Sequence, residues 1–190
     1  MPRGEPDWVE AARNGDLEAV AWLYEQYSDR IYSYAFVRLG DHNDAEDVTS
    51  QVFLKMVEKI GEFRWQGAGF AAWLFRIAHN HVVDSQRRLT RHPSVPIEDE
   101  RIGRLPGSST LGSDPQRYAE HKEFLHQLRQ CIHELSDLQA QVVLLKYAAE
   151  LSNPEISEIL SRSTNAINSV HYDALKKLGK LLTEKGYTPR

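Results

Sequence analysis

Apolar residues recur along this chain at intervals of three and four, the spacing that lines one face of an α-helix, and the main interruption of that pattern covers residues 92–114. No convincing period-two stretch is flanked by hairpin turns, so strands are not expected and the fold class is all-α. The interruption holds Pro93, Pro96, Pro106, Gly103, Gly107, Gly112, four serines and the acidic run Glu98-Asp99-Glu100, which leaves almost nothing to bury. It reads as a flexible linker between two small helical modules, residues 1–91 and 115–190.

In the first module a short helix is expected from Trp8 to Arg13. A second starts at an Asp16 cap and carries Val20, Leu23, Tyr24, Tyr27, Ile31 and Tyr34 as its core stripe towards Gly40. A third, from near Asn43, buries Ala45, Val48, Val52, Phe53, Met56 and Ile60. After a Gly-containing loop, a fourth runs from about Phe70 to Arg91. In the second module Pro115 suits the first turn of a helix reaching about Leu135, followed by helices from Ser136 to Ala149, from Asn153, and from about Ser163 to Lys185.

The overall chemistry excludes several classes. With 41% hydrophobic and 26% charged residues the composition is that of a globular protein, and an apolar run as short as Val142 to Leu145 spans no bilayer, so no membrane insertion is expected. The amino terminus carries no apolar stretch resembling a secretory signal, which gives a cytoplasmic expectation. The single cysteine, Cys131, lies among Leu128, Ile132 and Leu135 and reads as a small core residue. His79 and His81 face different sides of their helix, and the remaining histidines lack companion cysteines, so no metal is expected. There is no glycine-rich phosphate loop and no nucleophile with a base; neither a cofactor nor an enzyme activity is expected.

Asn153-Pro154-Glu155 looks like a cap followed by a first-turn proline. The stripe Ile156, Ile159, Leu160 stops at Ser161-Arg162-Ser163-Thr164, and the next helix turns Ala166, Ile167, Val170, Ala174, Leu175, Leu178 and Leu182 to the core. These are the lengths and turn of a helix-turn-helix whose second member enters the major groove, although a plain helical hairpin has the same periodicity. A net charge of −4 is unexpected for a chain binding DNA alone. Either the basic residues are segregated on one face, or another macromolecule supplies most of the affinity.

Two faces of the first module point outward. On the third helix Asp44, Asp47, Gln51, Leu54 and Glu58 share one side, which is either a solvated surface or a docking surface for a basic partner. On the fourth, Trp73, Arg76, Asn80, Arg87 and Arg91 lie along one face while Leu74, Ile77, Ala78, Val82 and Leu89 lie on the other. Arginines engage phosphates, Asn80 suits a base edge, and Trp73 with Trp65 and Phe63 suits stacking on unpaired bases; equally, Trp73 could plug the core.

The runs Asp44-Ala45-Glu46-Asp47-Val48-Thr49, Val52-Phe53-Leu54-Lys55 and Ala72-Trp73-Leu74-Phe75-Arg76-Ile77-Ala78-His79-Asn80, with Asp84 and Arg87-Arg88, closely resemble region two of bacterial sigma factors. Val142 to Tyr147, Glu155 to Leu160 and Ala174 to Leu178 resemble their region four. With two regions and a linker, the chain resembles the extracytoplasmic-function (ECF) class. The resemblance implies a factor that binds core RNA polymerase, through its β′ coiled coil and β subunit, and directs promoter-specific initiation. It places polymerase docking at Asp44, Glu46, Asp47, Gln51 and Leu54. Reading and melting of the minus-ten element falls to Trp65, Trp73, Arg76, Asn80, Arg87 and Arg88, with the loop from Gly61 to Gly69 holding a flipped-out base. The minus-thirty-five element falls to Thr164, Asn165, Asn168, Ser169, His171, Tyr172 and Lys176. An anti-sigma factor is an implied partner, and the linker threads towards the polymerase active centre. Polymerase would then supply general DNA affinity, which answers the net-charge objection.

Two departures stand out. Ser50-Gln51 replaces the family's usual Gln-Glu, and the leading turns of the last helix, Asn165 to Asp173, lack the family's cations. The second departure keeps open an alternative: a sigma-like interaction protein that sequesters polymerase or an anti-sigma partner without initiating. Thr49 and Ser50, beside the acidic stripe, are candidate phosphorylation positions.

Overall fold

A computed structural model describes residues 4–65, 67, 69–91 and 115–187, the side chains of 90, 91 and 115–122 excepted. The linker expectation, 92–114, lies outside the described residues. Among the described residues there is no strand, and they fall into two compact units, one ending with the fourth helix and one beginning with the fifth.

The first unit consists of α1 (Glu5–Arg13), α2 (Leu17–Leu39), α3 (His42–Lys59), a 3-10 turn (Ile60–Glu62) and α4 (Gly69–Arg91). α1 begins three residues before the expected Trp8, because Pro6 fits the first turn and the Asp7 carboxylate accepts a hydrogen bond from the Gly4 N–H at 3.0 Å. α2 starts where the Asp16 carboxylate accepts from Glu18 N and Ala19 N, at 2.9 and 3.3 Å. It stops at Gly40, whose φ of 84° is left-handed and whose N–H closes on Phe36 O at 2.9 Å. Asp41 then caps α3 through Asp44 N.

α2, α3 and α4 pack on one another and α1 lies on α2. Leu23, Tyr27, Ile31, Tyr34, Met56, Phe70, Leu74 and Phe75 are all but fully buried between them. The buried set expected for α3 is found entire: Ala45, Val48, Val52, Phe53, Met56 and Ile60. Tyr24 is a correction to the α2 stripe. It is 50% exposed and rests its ring against Phe53 at 4.7 Å, at the edge of the interface rather than inside it.

Polar pairs tie the helices together. Buried Arg38 donates to Gln86 Oε1 at 2.6 Å while Gln86 Nε2 donates to Arg38 O, joining the end of α2 to α4. Tyr34 hydroxyl and His79 Nδ1 meet at 2.9 Å, and Tyr27 donates to Glu5 of α1 at 2.6 Å. Burial and the Glu5 carboxylate push the Tyr27 phenol well above its ordinary range, so it remains a donor.

The second unit comprises α5 (Pro115–His133), α6 (Asp137–Tyr147), α7 (Asn153–Ile159) and α8 (Thr164–Glu184), with α8 packed against each of the other three. Val142, Val143, Leu144 and Leu145 are buried in succession, so α6 is covered nearly all round and its apolar run needs no amphipathic stripe. Cys131 is fully buried, as a core residue should be, and burial pushes its thiol pKa up. The α7 cap is Ser152, one residue before the expected Asn153. The Ser152 hydroxyl accepts from Glu155 N while the Glu155 carboxylate accepts from Ser152 N, a reciprocal capping box that places Asn153 and Pro154 inside the first turn. Leu175, expected in the core, is 39% exposed; Ala174 and Leu178 take the buried positions beside it.

Candidate nucleic-acid interface

Five of the outward-facing residues lie on α3. Glu46, Asp47, Gln51 and Leu54 are exposed, Leu54 at 66%, and Asp44 is half-buried. Burial, followed by the neighbouring carboxylates of Asp41 and Asp47, holds the Asp44 pKa above its usual value, and the Arg88 guanidinium opposes this. Glu58 is different: Lys55 hydrogen-bonds it at 2.7 Å, lowers its pKa and compensates its charge within the helix. The uncompensated charge is therefore concentrated at the N-terminal half of α3, beside an exposed leucine. A basic partner would relieve the mutual repulsion there. Thr49 is buried and donates to Ala45 O at 2.8 Å, which removes it as a modification site in the folded unit; Ser50 is exposed.

The loop before α4 and the first turns of α4 build an aromatic cluster. Phe63 and Phe70 are buried, 5.5 Å apart edge to face. Trp73 packs on both, at 5.3 and 5.5 Å, and Trp65 packs edge-on against Phe63 at 5.2 Å. Trp73 is half-buried and Trp65 44% exposed, so both indoles rest on a rigid floor while keeping surface in water. Trp73 therefore plugs the core only in part, and the rest of its ring lies at the surface. The loop turns back into α4 at Gly69, whose φ of 81° is one that a side chain rarely adopts and where an added Cβ would lie 3.9 Å from the Trp65 ring. Arg64 donates to Gly61 O and Phe63 O at 3.2 and 2.9 Å and fastens the same loop.

Beyond the cluster Arg76, Asn80 and Arg87 are exposed on one side of α4, as expected, and Leu74, Ala78 and Val82 are buried on the other. Asp84 shares the outward face and lies 3.5 Å from Arg87, both side chains 70% exposed, a pair of small energetic weight. Arg88 is exposed but turned towards α3: it donates to Ser85 Oγ at 2.8 Å and its charge acts on Asp44.

In the second unit α7, a turn through Ser161 in the left-handed region (φ 51°), and α8 form the expected helix-turn-helix. Ser163 caps α8 by accepting from Ala166 N at 3.2 Å. The seven residues singled out on α8 separate into two groups. Asn165, Asn168, Ser169, Tyr172 and Lys176 are exposed, Tyr172 at 69%, while Thr164 and His171 are half-buried. Thr164 donates to Ser157 at 3.3 Å, and Asn168 accepts from Asn153 Nδ2 at 2.6 Å. His171 bonds the Tyr147 hydroxyl at 3.1 Å with the two rings 5.7 Å apart, while Ser169 donates to its own helix at Asn165 O. Burial and the charge of Lys146 lower the His171 pKa and favour the neutral ring. Sequence periodicity missed these ties because hydrogen bonds between helices leave no trace in it; the short turn, which holds residues 153 and 168 close, was the available signal.

Two family profiles match the chain: sigma-70 region 2 over residues 23–92, which spans α3 and the aromatic cluster, and sigma-70 region 4 over residues 125–178, which spans the helix-turn-helix. The ECF RNA polymerase sigma factor BldN of Streptomyces coelicolor is 33% identical over 180 residues, covering 93% of this chain and 65% of BldN, so the chain spans about two thirds of that relative. The ECF RNA polymerase sigma factor SigW of Bacillus subtilis is 29% identical over 181 residues, covering 93% of this chain and 95% of SigW. Among solved structures, CnrH in complex with the cytosolic domain of CnrY shares the fold with a TM-score of 0.69 at 20% identity, over 93% of this chain and 96% of that one. The sigma factor RpoE from Bartonella quintana, in complex with the anti-sigma factor NepR, gives 0.64 at 21%, over 86% and 96%. With both regions matched on the helices that carry the outward faces, the chain belongs to the sigma-70 family, in its extracytoplasmic-function class.

Proposed function

We propose that this ECF sigma factor docks on the β′ coiled coil of core RNA polymerase through Asp44, Glu46, Asp47, Gln51 and Leu54 of α3, and that it opens and reads the minus-ten element with the loop before α4 and the outer face of α4. The domains are assigned accordingly: residues 1–91 as region two, 92–114 as the linker, and 115–190 as region four, which contacts the minus-thirty-five element with α8.

The observation that carries this reading is the pair of half-exposed indoles, Trp65 and Trp73, on a floor of buried phenylalanines, continuous with exposed Arg76, Asn80 and Arg87. Duplex opening leaves bases unstacked, and an aromatic face offers them a replacement partner worth about 1–3 kcal/mol per base. Asn80 is of the type that pairs two hydrogen bonds with adenine, and the arginines hold the backbone in place. The acidic stripe on α3 would repel DNA and so suits a basic protein element. Polymerase supplies the general affinity that a chain of net charge −4 lacks.

The family role is that of an initiation factor, with catalysis left to the polymerase. The complex of RpoE with NepR gives the model for regulation, and an anti-sigma factor covering the DNA-reading helices is the corresponding partner proposed here. Among the described residues no helix is long and apolar enough to cross a membrane. Run-off transcription with purified core polymerase on a promoter library tests the proposal. Initiation at a discrete promoter class is expected, and binding of polymerase with no initiation on any template would favour the sequestering alternative.

A further inference from the structure

The seven candidate residues on α8 do not have equal access to DNA, and the hydrogen bonds separate them. Asn165, Ser169, Tyr172 and Lys176 follow one another at offsets of four, three and four, and so form a single outward row along the helix. Asn168, itself exposed, and half-buried His171 belong to the adjacent row, whose polar atoms are engaged by α7 and α6. There the Asn153 amide donates to Asn168 Oδ1 at 2.6 Å, and His171 Nε2 meets the Tyr147 hydroxyl at 3.1 Å with the rings in contact. To reach a base edge, Asn168 would have to surrender a short amide bond across the turn and His171 a bond and a ring contact.

We infer that Asn168 and His171 are positioning residues, which fix α8 against α7 and α6, and that base discrimination at the upstream promoter element is made by the outward row, chiefly Asn165 and Tyr172. This rests on the proposed reading that α8 contacts the minus-thirty-five element. Asn165 stands in the first turn of α8, where recognition helices approach base edges, and its amide suits the N6 and N7 edge of adenine. Tyr172, two turns on and 69% exposed, presents an aromatic surface to a thymine methyl group and a hydroxyl to a phosphate. Lys176 continues the row to the backbone. Such an edge reads an A and T element through amide and apolar contacts, with little of the arginine-to-guanine chemistry used by cation-rich helices.

The test uses the holoenzyme, assembled from the full chain and core polymerase, on templates in which the upstream element is randomised, with base preference at each position measured as a ratio within each variant. Asn165→Ala should relax preference at one position by about tenfold or more, and Tyr172→Ala should relax another. Asn168→Ala and Asn153→Ala should lower total output by a few fold while leaving the preferred bases unchanged, and the double variant should be no worse than either single one. The conservative change Asn168→Asp keeps the oxygen that Asn153 donates to but has no donor for adenine, so its preferred bases should match the parent even where its added charge reduces output. A change of preferred base in Asn168→Asp or His171→Phe, with Asn165→Ala and Tyr172→Ala silent, would overturn the assignment while leaving upstream recognition by α8 intact. A parent holoenzyme that initiates with no upstream preference at all would overturn both.

Discussion

The two helices proposed to face DNA differ in which of their side chains hold them in their units. α4 is anchored by its apolar side, by an aromatic floor and by bonds of His79 and Gln86, which are not among its candidates, while its polar candidates Asn80 and Arg87 are exposed, Arg87 beside Asp84. α8 is anchored partly by its candidates themselves, since Thr164, Asn168 and His171 all bond neighbouring helices. Where burial and side chains of the inner face fix a helix, the outward polar side chains are left for a ligand. Where side-chain hydrogen bonds do part of the fixing, fewer remain. On this account the chain concentrates promoter discrimination in its first unit, and its second supplies a narrower contact.

Trp73→Ala is the strongest challenge to that division. It removes a half-buried indole from Phe63 and Phe70, so it should cost about 2 kcal/mol of stability, below the range for a fully buried Trp, and lower duplex-template transcription by tenfold or more. Trp65→Ala removes a more exposed ring and serves as the control: thermal unfolding should move little, while run-off output still falls about tenfold through lost stacking. Preserved output in Trp65→Ala would make the cluster purely structural. Next in size is the contrast between the two asparagines. Asn80→Ala should reduce output by about tenfold, and Asn168→Ala by less, since its amide is already engaged with Asn153. Equal losses in the same promoter assay would show that the two units share the reading evenly.

The helix ends also differ between the units. The first closes α2 with Gly40 at φ 84°, whereas the second places Glu150 and Ser161 in the left-handed region, at φ 54° and 51°. A side chain there costs about 1–2 kcal/mol, part of which glycine gives back through its freer unfolded chain. Ser161→Gly should therefore stabilise the second unit by about 0.5–1 kcal/mol, read as a rise of a few degrees in its unfolding midpoint. An unchanged or lower midpoint would mean that the serine is held there by contacts stronger than the strain.

What sequence reading could reach follows from where each signal resides. The caps Asp16 and Gly40, and the buried set of α3, are local patterns of residue type and period, and they are found where expected. Tyr24 and Leu175 satisfy the same period and are nonetheless exposed, because the period gives the direction of a side chain and not how far its neighbour extends over it. The tether of Arg38 to Gln86 joins residues 48 apart, and the turning of Arg88 towards Asp44 depends on how α3 meets α4. Neither arrangement is encoded in a stretch of sequence. The family resemblance therefore assigned Arg88 to DNA along with Arg87, whereas the fold gives the two neighbours different surroundings.

The smallest expected difference between the units is their response to acid, and it has opposite signs. His171 has a lowered pKa, from burial first and Lys146 second, so the unfolded chain takes up its proton before the folded one does. Its contribution is fully present above the ordinary histidine pKa of about 6.5 and is lost as pH falls towards the folded value. Asp44 has a raised pKa, from burial first and then Asp41 and Asp47, so the folded unit holds that proton longer. Its contribution is present below the ordinary aspartate pKa of about 3.9 and is lost as pH rises through the folded value. Falling pH therefore withdraws the histidine's contribution and restores the aspartate's. The unfolding midpoint of the parent should decline more steeply than that of His171→Phe as pH falls below about 6.5, whereas acidification should favour the parent relative to Asp44→Asn, which has no carboxylate to protonate. Parallel curves for the parent and His171→Phe would show that the Tyr147 contact accommodates the imidazolium as readily as the neutral ring.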